Sequence, residues 1–136
     1  MNMNGSIAIS VVVPFVLLVL WFLVSLKLAH RKDAELNQLL PETLSYKWGY
    51  FLGYSGVIGA AGIAVTAAAV LVAGLGGGWL LAVLAYALLF GLASYGVLMR
   101  RKWGWLFHIP LSLNPGLWAF NSVYASNRWQ ELARQG

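Results

Sequence analysis

From Trp48 to Met99 the chain runs 52 residues without an Asp, Glu, Lys or Arg. One bilayer crossing needs about 20 apolar residues, so this stretch alone is long enough to cross twice. Two further uncharged stretches, Met1–Leu26 and Trp103–Asn127, bracket it. Of the 136 residues, 60% are hydrophobic and 10% charged, against about 25% charged in a typical soluble domain. A soluble fold of this size has too little interior to hide that much apolar surface, so lipid must solvate part of it. The expected fold is all-α: a small polytopic membrane helix bundle forming one integral membrane domain over residues 1–136.

Four segments are predicted. The first, 7–28, is rich in Val, Leu and Phe, with Pro14 in its first half. It lacks the basic start of a secretory signal and its apolar run is longer than a signal core, so it reads as a retained anchor. Residues 30–47 form a polar, amphipathic connection in which Lys32–Leu40 can make a short helix ended by Pro41. It reads as a solvated loop on the membrane surface or as a partner-docking helix.

The second segment, 49–75, carries small residues at helical spacing: Gly49, Gly53, Gly56, Ala60, Ala64 and Ala67. Helices in lipid gain little from hydrophobic association, so close backbone contact over such a ridge becomes the packing device. The ridge can serve the same chain, a second copy or another protein. Gly76-Gly77-Gly78 supplies a turn into the third segment, 79–99, whose weaker small-residue face holds Ala87, Gly91 and Ser94.

The fourth segment, 103–124, is irregular. Pro110 and Pro115 mark a helix break, and Asn114-Pro115 is a helix-start pair, Asn as cap and Pro at the first helical position. The expected pattern is a helix over 103–109, an interruption at 110–114, and a helix from Pro115 toward Ala133. A kinked fourth crossing is the preferred geometry. Three crossings plus an interfacial or re-entrant helix is the alternative.

Basic residues set the orientation. Lys27, Arg31, Lys32 and Lys47 lie in or beside the first connection, Arg100, Arg101 and Lys102 form the third, and the glycine-rich second connection has none. The positive-inside rule puts the first and third connections in the cytoplasm. A crossing fourth segment would put the C-terminus outside, whereas Arg128 and Arg134 favour a cytoplasmic tail. The net charge of +5 is explained by topology and anionic head groups, with no nucleic-acid partner expected. Tyr46, Trp48, Tyr50, Trp103 and Trp105 flank predicted span ends, as interfacial aromatics do.

Little points to chemistry. The chain has no cysteine, and its four carboxylates, Asp33, Glu35, Glu42 and Glu131, lie outside the predicted spans. Proton-coupled carriers place an ionisable group within the bilayer. No metal motif, cofactor site or G-x-S-x-G elbow is present. His108 reads as an interfacial histidine bonding a backbone carbonyl freed by Pro110. Asn114, Asn121 and Ser122 can form a polar stripe that glues helices or, with His108, lines a pathway. The expected function is therefore non-enzymatic: a bacterial inner-membrane protein packing against a membrane partner, as an accessory subunit or an immunity-type protector. The alternative is a small homo-oligomeric channel or carrier with its polar pathway in the fourth segment.

Overall fold

The structure is a computed structural model that describes residues 3–132. Five helices follow one another: α1 (Met3–Leu39), α2 (Lys47–Val72), α3 (Trp79–Leu98), α4 (Lys102–Leu111) and α5 (Pro115–Asn127). There is no strand among the described residues. Helices α1, α2 and α3 are each long and apolar enough to cross a membrane. The backbones pack as a row in chain order, α1 on α2, α2 on α3, α3 on α4 and α4 on α5.

Helix α1 departs from expectation. It has 37 residues, about 55 Å at 1.5 Å per residue, and continues unbroken through most of the expected polar connection. Only residues 40–46 separate it from α2. Its buried residues, Ser25, Ala29, Asp33 and Leu36, recur at steps of four, four and three, so one face carries across the boundary between apolar and charged sequence. Arg31 and Lys32 meet Glu35 on the exposed side at 3.7 and 3.5 Å, pairs at helical spacing that support the extension. Pro14 lies inside the helix.

The α2 ridge lies against α3 of the same chain. A Cβ on Gly53 would stand 2.7 Å from Leu98 Cβ and 2.8 Å from Leu98 Cα, and one on Gly56 would stand 2.6 Å from Ser94 Cβ. A Cβ on Gly91 would be 3.0 Å from Ala60 Cβ. Gly49 instead accommodates the ring of Tyr46, whose Cε1 would be 2.6 Å from an added Cβ. Ala60 and Ala67 are buried and Ala64 half-buried. Absent side chains thus let the two backbones approach, and dispersion holds them.

Two helices end by the same device with different residues. At the end of α2, Gly74 takes φ +69°, and the bonds Gly74 N–H to Leu71 O and Leu75 N–H to Val70 O close a Schellman motif. The left-handed position is thus Gly74, ahead of the Gly76–Gly78 run. At the end of α3, Arg100 N–H bonds Val97 O and Arg101 N–H bonds Gly96 O. Here the left-handed residue is Arg100, at φ 56°, a conformation that costs a non-glycine residue about 1 kcal/mol or more.

The fourth segment is two helices, and they fold back on each other. Helix α4 runs through Pro110 to Leu111, so the break falls at 112–114, later than expected. Helix α5 then returns. Lys102, at the start of α4, lies 5.0 Å over the Trp129 ring, and Trp105 and Tyr124 rings are 5.6 Å apart. This corrects the preferred reading of a single kinked segment: Glu131 ends beside Arg100, at the basic end of the bundle. The reversal is made by Leu113 at φ 53° and held by side-chain packing. Helix α5 ends at Asn127, and residues 128–132 form turns, so the helix expected to run toward Ala133 stops short; Ala133 and Arg134 lie outside the described residues.

Side chains bond the backbone on either side of the turn. Asn114 Oδ1 accepts the N–H groups of Gly116 and Leu117 at 3.0 and 3.2 Å, Ser112 Oγ donates to Ile109 O at 2.7 Å, and Tyr86 Oη donates to Leu111 O. Asn114→Ala removes the cap and is expected to cost about 1–2 kcal/mol, read as a shift in the SDS-titration midpoint of the detergent-solubilised protein. An unchanged midpoint would show that the cap contributes nothing.

Candidate functional site

At the basic end, five segments converge on Tyr46. This residue precedes α2 and is 1% exposed. Its hydroxyl donates to Val97 O at 2.7 Å, capping a carbonyl in the last turn of α3, and accepts Trp105 Nε1–H from α4 at 2.7 Å. Its backbone N–H donates to Asp33 Oδ1 at 2.7 Å, and Ser45 Oγ donates to Asp33 Oδ2 at 2.8 Å. Burial pushes the Tyr46 hydroxyl pKa up, so the hydroxyl keeps the proton that it donates.

Charged and aromatic groups surround this centre. The Arg100 guanidinium lies 5.3 Å over the Tyr46 ring, within cation–π range, and 3.9 Å from Glu131 Oε2. Glu131 Oε1 accepts Leu44 N–H at 3.2 Å. Arg128 Nε donates to Ser45 O at 2.8 Å while its guanidinium stacks 3.7 Å from the Tyr124 ring centroid. The positive φ at Arg100 thus comes with an aromatic ring and a carboxylate beside its side chain. Arg101 and Lys102, beside it, are exposed and half-buried.

The expected pathway residues have separate neighbourhoods. His108 is buried between α3 and α4, its ring 5.0 Å from Phe90 and 6.4 Å from Trp105. Neither of its ring nitrogens has a hydrogen-bond partner, so the expected bond to a freed carbonyl is not made. Asn121 is fully buried on α5 and accepts Trp48 Nε1–H at 2.8 Å. Asn114 is the cap described above, and Ser122 is exposed beside Leu106 and Ile109 in the groove between α4 and α5.

Sequence reasoning missed the Tyr46 centre. Tyr46 read as one interfacial aromatic among several, and Asp33 and Glu131 only as carboxylates outside the predicted spans. The available signal was the spacing of Ser25, Ala29, Asp33 and Leu36, which puts the carboxylate on the face that an extended α1 buries. Among the described residues no three His, Asp or Glu side chains gather as a metal-ligand set. Three of the four carboxylates are held in structural contacts: Asp33 by Tyr46 and Ser45, Glu35 by Arg31 and Lys32, and Glu131 by Leu44 and Arg100. No protein family model, characterised protein or solved structure matches the chain.

Proposed function

We propose that this chain is a non-enzymatic integral membrane protein that acts by packing α1 against a helix of a membrane partner, as an accessory subunit or a protector against a membrane-acting toxin. In this reading α1, α2 and α3 cross a bacterial inner membrane with the basic end in the cytoplasm. The α4–α5 hairpin enters from that end and returns. Its tip meets Tyr86, 12 residues or about 18 Å back from the end of α3, and the bonds made by Ser112 N–H and Asn114 Oδ1 reduce the number of free amides at the turn, which lipid cannot bond.

The observation that carries the functional reading is the exposure of α1. Gly53, Gly56 and Ala60 of the α2 ridge are covered by α3, whereas Val11, Phe15 and Leu18 are 65%, 66% and 59% exposed. They lie within about 60° of one another on the helix at 100° per residue. From Met3 to Leu20 no residue of α1 is buried, and its first cross-helix anchors are Trp21 Nε1 to Ser55 O at 3.0 Å and the Phe22–Phe51 ring pair. About 27 Å of apolar helix is thus left for lipid or a partner.

The test is purification of the tagged protein from its native membrane in mild detergent. A stoichiometric second polypeptide is expected. Val11→Ala/Phe15→Ala/Leu18→Ala should lose it while membrane insertion and unfolding midpoint stay unchanged. A single self-contained species, or a partner retained by the triple variant, would sink the reading.

A further inference from the structure

A laterally open groove of about 410 Å³ lies between α1, α2 and the end of α5. Its walls are Phe22, Leu26, Trp48 and Phe51, and its mouth is formed by Lys47, Arg128 and the backbone of Ser45. The wall is built from fixed rings. Trp48 stacks on Phe51 at 5.7 Å, and Phe22 meets Phe51 edge-on at 5.6 Å. The indole N–H of Trp48 is already bonded to Asn121. Phe22 and Leu26 remain 48% and 38% exposed on the side where an apolar α1 meets lipid.

The two cations at the mouth differ from the ion-paired ones at this end. Arg31 and Lys32 are paired with Glu35, and Arg100 faces Glu131. Lys47 and Arg128 make no ion pair among the described residues, while the nearby carboxylate of Asp33 is engaged by Ser45 and Tyr46. Arg128 is also oriented in advance: Nε is held by Ser45 O, Nη1 by Tyr124 O at 3.3 Å, and the plane by the Tyr124 ring.

A hydrophobic slot with two cations outside any ion pair at its interfacial end matches one kind of molecule in form and charge, a chain-bearing anion. We infer that this groove is a binding site for one anionic glycerophospholipid of the leaflet at the basic end. The acyl chain lies along Phe22, Leu26 and Phe51, and the phosphate sits between Lys47 and Arg128. The bound lipid then fills the gap between α1 and α5, which do not pack on each other directly. The inference rests on the membrane embedding proposed above, not on the identity of any partner.

Vesicle flotation and native mass spectrometry test it together. The delipidated protein is titrated in detergent with palmitoyl-oleoyl phosphatidylglycerol or phosphatidylcholine, and a portion is reconstituted into vesicles of the two lipids. One tightly held phosphatidylglycerol per chain is expected, with phosphatidylcholine bound at least tenfold more weakly. Lys47→Gln/Arg128→Gln should weaken retention of the anionic lipid about tenfold to thirtyfold. Lys47→Gln alone, at an exposed side chain that holds no other group, should weaken it severalfold without altering the fold. Leu26→Trp should fill the slot and reduce binding with no change of charge, whereas Arg101→Gln, outside the groove, should leave it intact. Equal binding of both lipids, or equal loss from Arg101→Gln and the mouth variants, would overturn the site while leaving the membrane reading standing. Failure of the protein to float with vesicles would overturn both.

Discussion

Gly104→Leu is expected to detach α4 from α3 and to cost about 3 kcal/mol or more, at the top of the range for overpacking. A Cβ on Gly104 would come within 2.7 Å of Gly96 Cα, and one on Gly96 would meet Gly104 Cα at 2.7 Å. Both obstacles are backbone, which cannot rotate aside as a side chain does. The crossing of Gly96 and Gly104 also places Trp105 under Tyr46 and brings α5 back to Ser45. Its loss should therefore free the whole hairpin. SDS titration gives the stability change, and limited proteolysis after Arg128 gives the release of α5. Gly62→Leu is the matched control, since an added Cβ there meets nothing within 4 Å. It should be neutral or slightly stabilising, because leucine is the better helix former. If Gly104→Leu unfolds at the same SDS concentration as Gly62→Leu, the close α3–α4 crossing is not formed.

Asp33→Ala is expected to cost about 2–3 kcal/mol. Asp33 is 7% exposed, and its carboxylate is the acceptor for the buried N–H of Tyr46. A hydrogen bond to a charged group contributes about 1.5–3 kcal/mol, and a buried donor left without an acceptor costs a similar amount. The hydroxyl of Ser45, being exposed, can turn to water and adds little. Asp33→Asn keeps one oxygen acceptor and should recover roughly half of the loss. Because Asp33 ties α1 to the start of α2, its removal should also loosen residues 40–46. Faster tryptic cleavage after Lys47 in Asp33→Ala than in the native chain reports that directly. Equal cleavage rates and equal SDS midpoints in both proteins would show that α1 is held by its apolar contacts alone.

Some features of this fold are local enough to be legible in the residues. The Asn114-Pro115 start of α5 follows from a side chain that bonds the next amides and a ring that fixes φ, both within three residues of chain. The α2 ridge is legible because small residues at steps of three and four have one structural meaning in lipid, close approach. The end of α1 is less so. Arg31, Lys32 and Glu35 signal a boundary with water, and that boundary is not a boundary of the helix. A helix needs only its backbone bonds and one buried stripe, and Ser25, Ala29, Asp33 and Leu36 supply the stripe.

Composition, period and near neighbours along the chain are enough to set the helical class, three apolar segments long enough to span a bilayer, the clustering of basic charge at one end, and the break before Pro115. The direction taken after the break is a tertiary outcome. Proline and asparagine interrupt a helix without aiming the next one, and α5 is aimed by the Gly96–Gly104 crossing and by Trp105 and Tyr124 beside Tyr46. The conformation of Arg100 is a second feature that the residues do not announce: its left-handed backbone closes the end of α3 where a glycine would be expected, and its guanidinium lies over the Tyr46 ring beside Glu131. The first depends on contacts between residues far apart in the chain and on backbone spacing between helices, and neither leaves a periodic trace in the sequence.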